Sequence, residues 1–278
     1  TIAKGRCRFL EGIVGKTVIS GLATTDTIQA ANCSWNDGSN VALTEQVLDP
    51  SDLAVMEEIC RGTMYPTWIA ANGRMERNGS LPVAWSDFLL GAVAERTGTS
   101  LETLLWCGDA AGVFGTGFLS NDGVIDQPGI DASACKDFVE ADTAGSYTAA
   151  NILEKMGKVM DAAASIPGIL QKPGVGFYVS YDAYAFFLQA IAAQNSGPGY
   201  QTDLTGNMSY LGYPVYPTGG ITNGVHCMVF TYPDNLVVGA NSYTADISAQ
   251  LIPTYMYDGS DNVRASMRFA VGVQTGVA

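Results

Sequence analysis

Any catalysis or ligand binding in this chain would have to be built from one histidine, six scattered cysteines, a glycine-rich loop and a few groups of carboxylates. The imidazole is His226, in the apolar run Val225-His226-Cys227-Met228-Val229-Phe230. A thiolate nucleophile made by His226 with Cys107 or Cys227 would give a Cys–His hydrolase, provided the fold brought the pair together. No Gly-x-Ser-x-Gly elbow or similar nucleophile motif supports that chemistry. A histidine in an apolar, strand-like run ordinarily packs and hydrogen-bonds rather than acting as a base.

Cys7, Cys33, Cys60, Cys107, Cys135 and Cys227 form no Cys-x-x-Cys pair, and zinc requires closely spaced ligands, so a zinc site is not expected. Cys60 beside Ile59 and Cys107 beside Trp106 read as small buried hydrophobes, which suits a reducing compartment. The run Gly108-Asp109-Ala110-Ala111-Gly112-Val113-Phe114-Gly115-Thr116-Gly117 invites comparison with a phosphate cradle. Such a cradle leads from a strand into a helix N-terminus, whereas this run follows a helical segment and lacks the closing Lys-Ser/Thr. It reads as a loop that ends a helix. Asp122, Asp126 and Asp131, and again Asp258 and Asp261, lack the alternating spacing and closing glutamate of a calcium loop. Glu57 and Glu58 are adjacent, so their side chains diverge. The chain is expected to be no enzyme and to carry neither metal nor cofactor.

Composition points the same way. Of 278 residues 47% are hydrophobic and only 15% charged, below the roughly 25% usual in soluble domains. A subunit that covers much of its exterior with neighbours would look like this. The net charge of -13 repels polyanions, which argues against sequence-specific nucleic-acid binding and against anionic membranes. No apolar run of about 18 residues suggests a membrane span.

Residues 12–68 read as extended, with Asn36-Asp37-Gly38-Ser39-Asn40 as the turn of a long hairpin. The run from Leu53 to Cys60 fits strand or helix. Trp85, Phe88, Leu89, Ala92 and Val93 mark one face of a helix spanning Ala84–Trp106. Its stripe then moves to Leu101, Leu104 and Leu105, which calls for a bend at Thr97-Gly98-Thr99 or for a second packing partner. A clear helix follows through Ala149, Ile152, Met156, Val159 and Ala163, with Ser146 or Thr148 as its cap. Then come the short strand Gly176–Val179, a helix capped by Ser180, and strands near 225–232, 235–238, 247–257 and 263–273. The class is α+β: a compact body with a projecting arm.

Several of these segments, in this order, resemble the major capsid proteins of tailed bacteriophages. Gln46-Val47-Leu48-Asp49-Pro50-Ser51-Asp52-Leu53-Ala54-Val55, then Glu58-Ile59-Cys60 and Trp68, is similar to the strands leaving their extended loop. Ala94-Glu95 through Trp106-Cys107-Gly108-Asp109, with Gly117-Phe118-Leu119, looks like their spine helix and its exit loop. Phe177-Tyr178-Val179-Ser180 and Leu211-Gly212-Tyr213-Pro214-Val215 resemble the central domain, and Arg264 and Arg268 the closing strand.

The resemblance implies an HK97-type coat fold. An N-terminal arm would cover 1–17, an extended β-hairpin loop with its flanking strands 18–60, a peripheral domain with the spine helix 61–120 and 236–272, and an axial domain 121–235 and 273–278. It implies self-assembly into the hexamers and pentamers of an icosahedral head around double-stranded DNA, touched only by non-specific proximity. A portal and decoration proteins would be further partners, with assembly in the host cytoplasm. It places Asp258, Asp261, Arg264 and Arg268 at or near a loop tip that meets adjacent capsomers, Asn36 and Asp37 at the hairpin tip, and Lys4, Arg6 and Arg8 on a small basic arm. Some members join a lysine to an asparagine; Lys16 is the lysine nearest the hairpin, and the scarcity of lysine argues against such a crosslink. The first residue is Thr1 rather than methionine, and removal of an N-terminal segment is expected. An encapsulin-like compartment shell shares the implied fold.

Overall fold

The computed structural model describes residues 4–24, 41–60, 62–63, 66, 83–107, 147–165, 168–193, 208–221, 228–241, 250–254, 257, 259–260 and 262–275. The longest helix, α1 (Val83–Cys107), runs unbroken past Gly98. The shift of its apolar stripe is met by a second partner. Leu89 and Val93 face a groove beside a strand, while Leu105 and Trp106 enter a core with Tyr178, Ile221 and Val271. Three threonine hydroxyls on the helix, Thr97, Thr99 and Thr103, donate back to carbonyls one turn earlier, which satisfies them without a cap or turn.

The first sheet is assembled from both ends of the chain. Strand β1 (Arg8–Glu11) lies parallel to β9 (Leu236–Ala240), and β9 pairs with the inner half of the closing strand β11 (Asn262–Thr275). The outer half of β11 pairs antiparallel on one side with β4 (Ser51–Cys60) and on the other with β10 (Gln250–Pro253). Residues 53–60, which fit helix or strand, are therefore strand: pairing along β11 decides what local pattern could not. The alternation sends Leu53, Val55 and Ile59 partly inward, and Ala54, Met56, Glu58 and Cys60 outward. Cys60, expected to be buried, is exposed because it falls on the outer register opposite Asn262.

The second unit packs α2 (Ile152–Ala164) and α3 (Tyr181–Ala193) with a sheet of order β6–β7–β5–β8, comprising β5 (Gly176–Val179), β6 (Ser209–Tyr210), β7 (Tyr213–Pro217) and β8 (Met228–Thr231). The two-residue turn Leu211–Gly212 has positive φ at both positions, the geometry that lets two twisted strands meet tightly. Thr148 does not cap α2 with its side chain. Its carbonyl accepts from Ile152 N–H, and its own N–H donates to Asn151 Oδ1 at 2.8 Å, so the helix starts later than the apolar spacing suggests. The Ser180 hydroxyl donates to the Asp182 carboxylate, which accepts from Ala183 N–H at 2.8 Å. The acidic side chain thus takes the orphan donor of the first turn.

Strands β5 and β8 are walls common to two interiors. Phe177, Val179, Met228 and Phe230 point into the core under α2 and α3, while Tyr178 and Val229 point into the core under α1. Burial raises the pKa of Tyr178 well above the phenol range, Tyr216 adds to the shift, and the Arg6 charge partly offsets it. A raised folded value means full stability below the unfolded value of about 10 and loss as pH climbs beyond it. The stability advantage of the native chain over Tyr178→Phe will therefore shrink above pH ~10, by up to about 1.4 kcal/mol per pH unit. Urea titrations of both proteins across pH 8–11 check this; parallel pH curves would refute it.

Candidate self-assembly surface

A two-stranded ribbon leaves the body after β1. Strand β2 (Thr17–Thr24) pairs antiparallel with β3 (Val41–Leu48), Val18 directly opposite Val47. No further strand joins this pair among the described residues, and such a ribbon is at best marginal in water. Its two faces differ. On the inner face Leu48 is fully buried, Ile19 is partly buried, and Gln46 Oε1 accepts from Gln274 Nε2 at 2.7 Å. On the outer face Val18, Leu43 and Val47 are 54%, 61% and 50% exposed, with Ser20 and Glu45 between them. Three large apolar side chains on the free side of a thin ribbon are an unburied contact surface.

The root of the ribbon is seated firmly. A Cβ on Gly239 would strike the side chains of Leu48 and Ile13, so only glycine leaves room for both. Lys16 Nζ lies 2.9 Å from Asp49 Oδ2 across the root, and this bond raises the lysine pKa, although both groups face solvent. The pair supports the root by a small, salt-sensitive amount.

An open groove of about 710 Å³ lies between α1 and the β4–β11 sheet, lined by Leu53, Val55, Leu89 and Phe269, with Glu57 and Arg96 also on its walls. On the opposite face of the sheet, Arg264 Nε donates to Glu58 Oε2 at 2.9 Å, and Asn262 Nδ2 donates to Glu58 Oε1 at 2.7 Å. Arg268, exposed on the same face, stands opposite Ala54.

Of the residues expected at subunit contacts, Arg264 and Arg268 sit on this outer face and Lys4 is exposed. Arg6 is engaged within the chain: its guanidinium lies 3.8 Å from the centre of the Tyr216 ring. Asn36, Asp37, Asp258 and Asp261 lie outside the described residues, as do His226, Cys227 and the side chain of Cys107. The apolar row Val18, Leu43 and Val47 was not singled out from sequence.

No protein-family model matches the chain, and no curated protein sequence does. Solved structures match over nearly the whole length. A chain of Gordonia phage Cozz superposes with a TM-score of 0.58 at 11% identity, covering 99% of this chain and 82% of that one. A chain from the satellite phage P4 procapsid including size determination (Sid) protein gives 0.56 at 14% identity, with coverages of 97% and 82%. The holo-SrpI encapsulin complex from Synechococcus elongatus PCC 7942 gives 0.57 at 10% identity, with coverages of 98% and 81%. The fold is the HK97-type coat fold.

Proposed function

We propose that this chain is the major capsid protein of a tailed phage, not an enzyme, and that copies of it form the hexamers and pentamers of an icosahedral head. The observation that carries this reading is the ribbon's exposed apolar row, on a chain whose fold is like that of phage coat subunits from end to end. The outer face of one copy's ribbon seats in the α1–β4 groove of the next, taking Val18, Leu43 and Val47 out of water. Each is already about half buried, so the burial still to be gained is about 1 kcal/mol per side chain; one such contact contributes about 3 kcal/mol, and a closed lattice repeats it at every subunit.

The head encloses double-stranded DNA without gripping it, since a net charge of -13 leaves the polyanion unbound. The protein resides in the virion capsid after assembly in the host cytoplasm, with a portal and decoration proteins as further partners. The test is negative-stain microscopy of the purified full-length chain, alone and with polyethylene glycol to drive association. Shells, tubes or sheets are expected. A monomer that persists at millimolar concentration and carries a hydrolase activity abolished by His226→Ala would overturn the reading.

A further inference from the structure

The exposed apolar row acts only if the ribbon is held at a fixed angle, and the chain N-terminal to the ribbon supplies a holding device. Strand β1 is four residues long and, among the described residues, lies at the edge of its sheet and pairs with β9 alone. Short edge strands belong to the part of a structure that opens most readily. Two attachments flank it. Upstream, the Arg6 guanidinium stacks on Tyr216, and the Arg6 carbonyl accepts from the Tyr178 hydroxyl at 3.2 Å. Tyr178 is itself packed between Tyr216 and Trp106, with ring centres 5.4 and 5.5 Å away. Downstream, the chain turns at Gly12, whose φ of 77° favours glycine, and Ile13 N–H donates to Ala240 O at 3.1 Å. Ile13 is then buried beside Leu48 over Gly239. Leu48 is the last residue of β3 and pairs with Thr17 at the first rung of the ribbon.

We infer that residues 4–13 are a latch on the ribbon: Arg6, clamped on Tyr216, keeps β1 on the sheet edge, and β1 keeps Ile13 wedged against Leu48 at the ribbon's root. Arg6 is thus a positioning residue for assembly. It acts through β1, Ile13 and Leu48. With the latch released, β1 frays, Ile13 leaves the Gly239 socket, and the ribbon loses one wall of its seat while Gln46 and Gln274 still tether its inner face. The significance of the latch for shell formation rests on the assembly reading; the mechanical coupling does not.

Hydrogen exchange on the dilute, unassembled full chain, read by mass spectrometry, tests the coupling. Arg6→Ala removes a cation–π contact of a kind that ranges from about 1 to about 2 kcal/mol, a five- to thirty-fold change. Exchange is expected to speed up by that factor in peptides covering both 6–13 and 41–48, with 152–164 unchanged. Arg6→Lys, which keeps the charge and weakens the stacking, should give a smaller acceleration in the same two peptides. Lys4→Ala, an exposed change, should give none. Acceleration confined to 6–13 would refute the coupling, no acceleration would refute the latch, and an equal effect from Lys4→Ala would reduce it to net charge. None of these outcomes depends on whether shells form, so the latch and the assembly reading can fail separately.

Discussion

Replacing Trp106 with alanine will destabilise the dilute chain by about 4 kcal/mol, read as a lowered urea midpoint at unchanged slope. Trp106 is fully buried and is the largest such side chain among the described residues. It ends α1 inside the first core, its ring tilted against Tyr178 with ring centres 5.5 Å apart. Truncation removes its apolar burial and leaves a hole walled by β5, α1 and the segment around Ile221, none of which can collapse without breaking strand or helix bonds. The same spot cannot be enlarged. A Cβ at Gly220 would run into the Trp106 ring and the Glu102 carbonyl, and the carbonyl belongs to the helix backbone. Gly220→Ala is therefore expected to cost about 2–3 kcal/mol by overpacking. A loss below about 1 kcal/mol for Trp106→Ala would mean that the helix end is not wedged there.

The double substitution Leu43→Asp, Val47→Asp will leave the subunit folded and abolish its assembly under conditions in which the native chain forms shells. Both side chains are at least half exposed, so stability should shift by no more than about 0.5 kcal/mol. If each loses about 1 kcal/mol of burial at a neighbour, every contact weakens by about 2 kcal/mol, and the concentration needed for assembly rises about thirtyfold. Two charges forced against the apolar side chains of the groove add a desolvation cost in the same direction. Light scattering against concentration, with circular dichroism to show the fold intact, reads the result. Shells forming at the native concentration would take this face out of the interface.

Local pattern carried much of this structure. The long helix and the closing strand are short-range features: the helix expected over Ala84–Trp106 spans Val83–Cys107 and the strand expected over Val263–Val273 spans Asn262–Thr275, although Phe88 and Ala92 of the expected helix face are exposed. What the sequence did not disclose was decided by partners distant along the chain. Residues 53–60 are strand because β11 lies beside them, Cys60 faces outward because Asn262 fixes the register, and Arg6 stacks on a tyrosine near the other end of the chain. Asn151 and Asp182 displaced the expected side-chain caps by serving N–H groups that the apolar periodicity does not reveal. The ribbon was foreseen; its outward row was not, because the sequence does not say which of two alternating faces the body will cover.

The two interiors meet across strands with side chains in both, so among the described residues the two cores share a wall. A larger residue accepted on one side of β5 pushes on the other, and the volumes available to Phe177 and Tyr178 cannot drift independently. Selection therefore acts on both halves as one solid. A particle made of such units would change size or shape by tilting whole blocks at their margins.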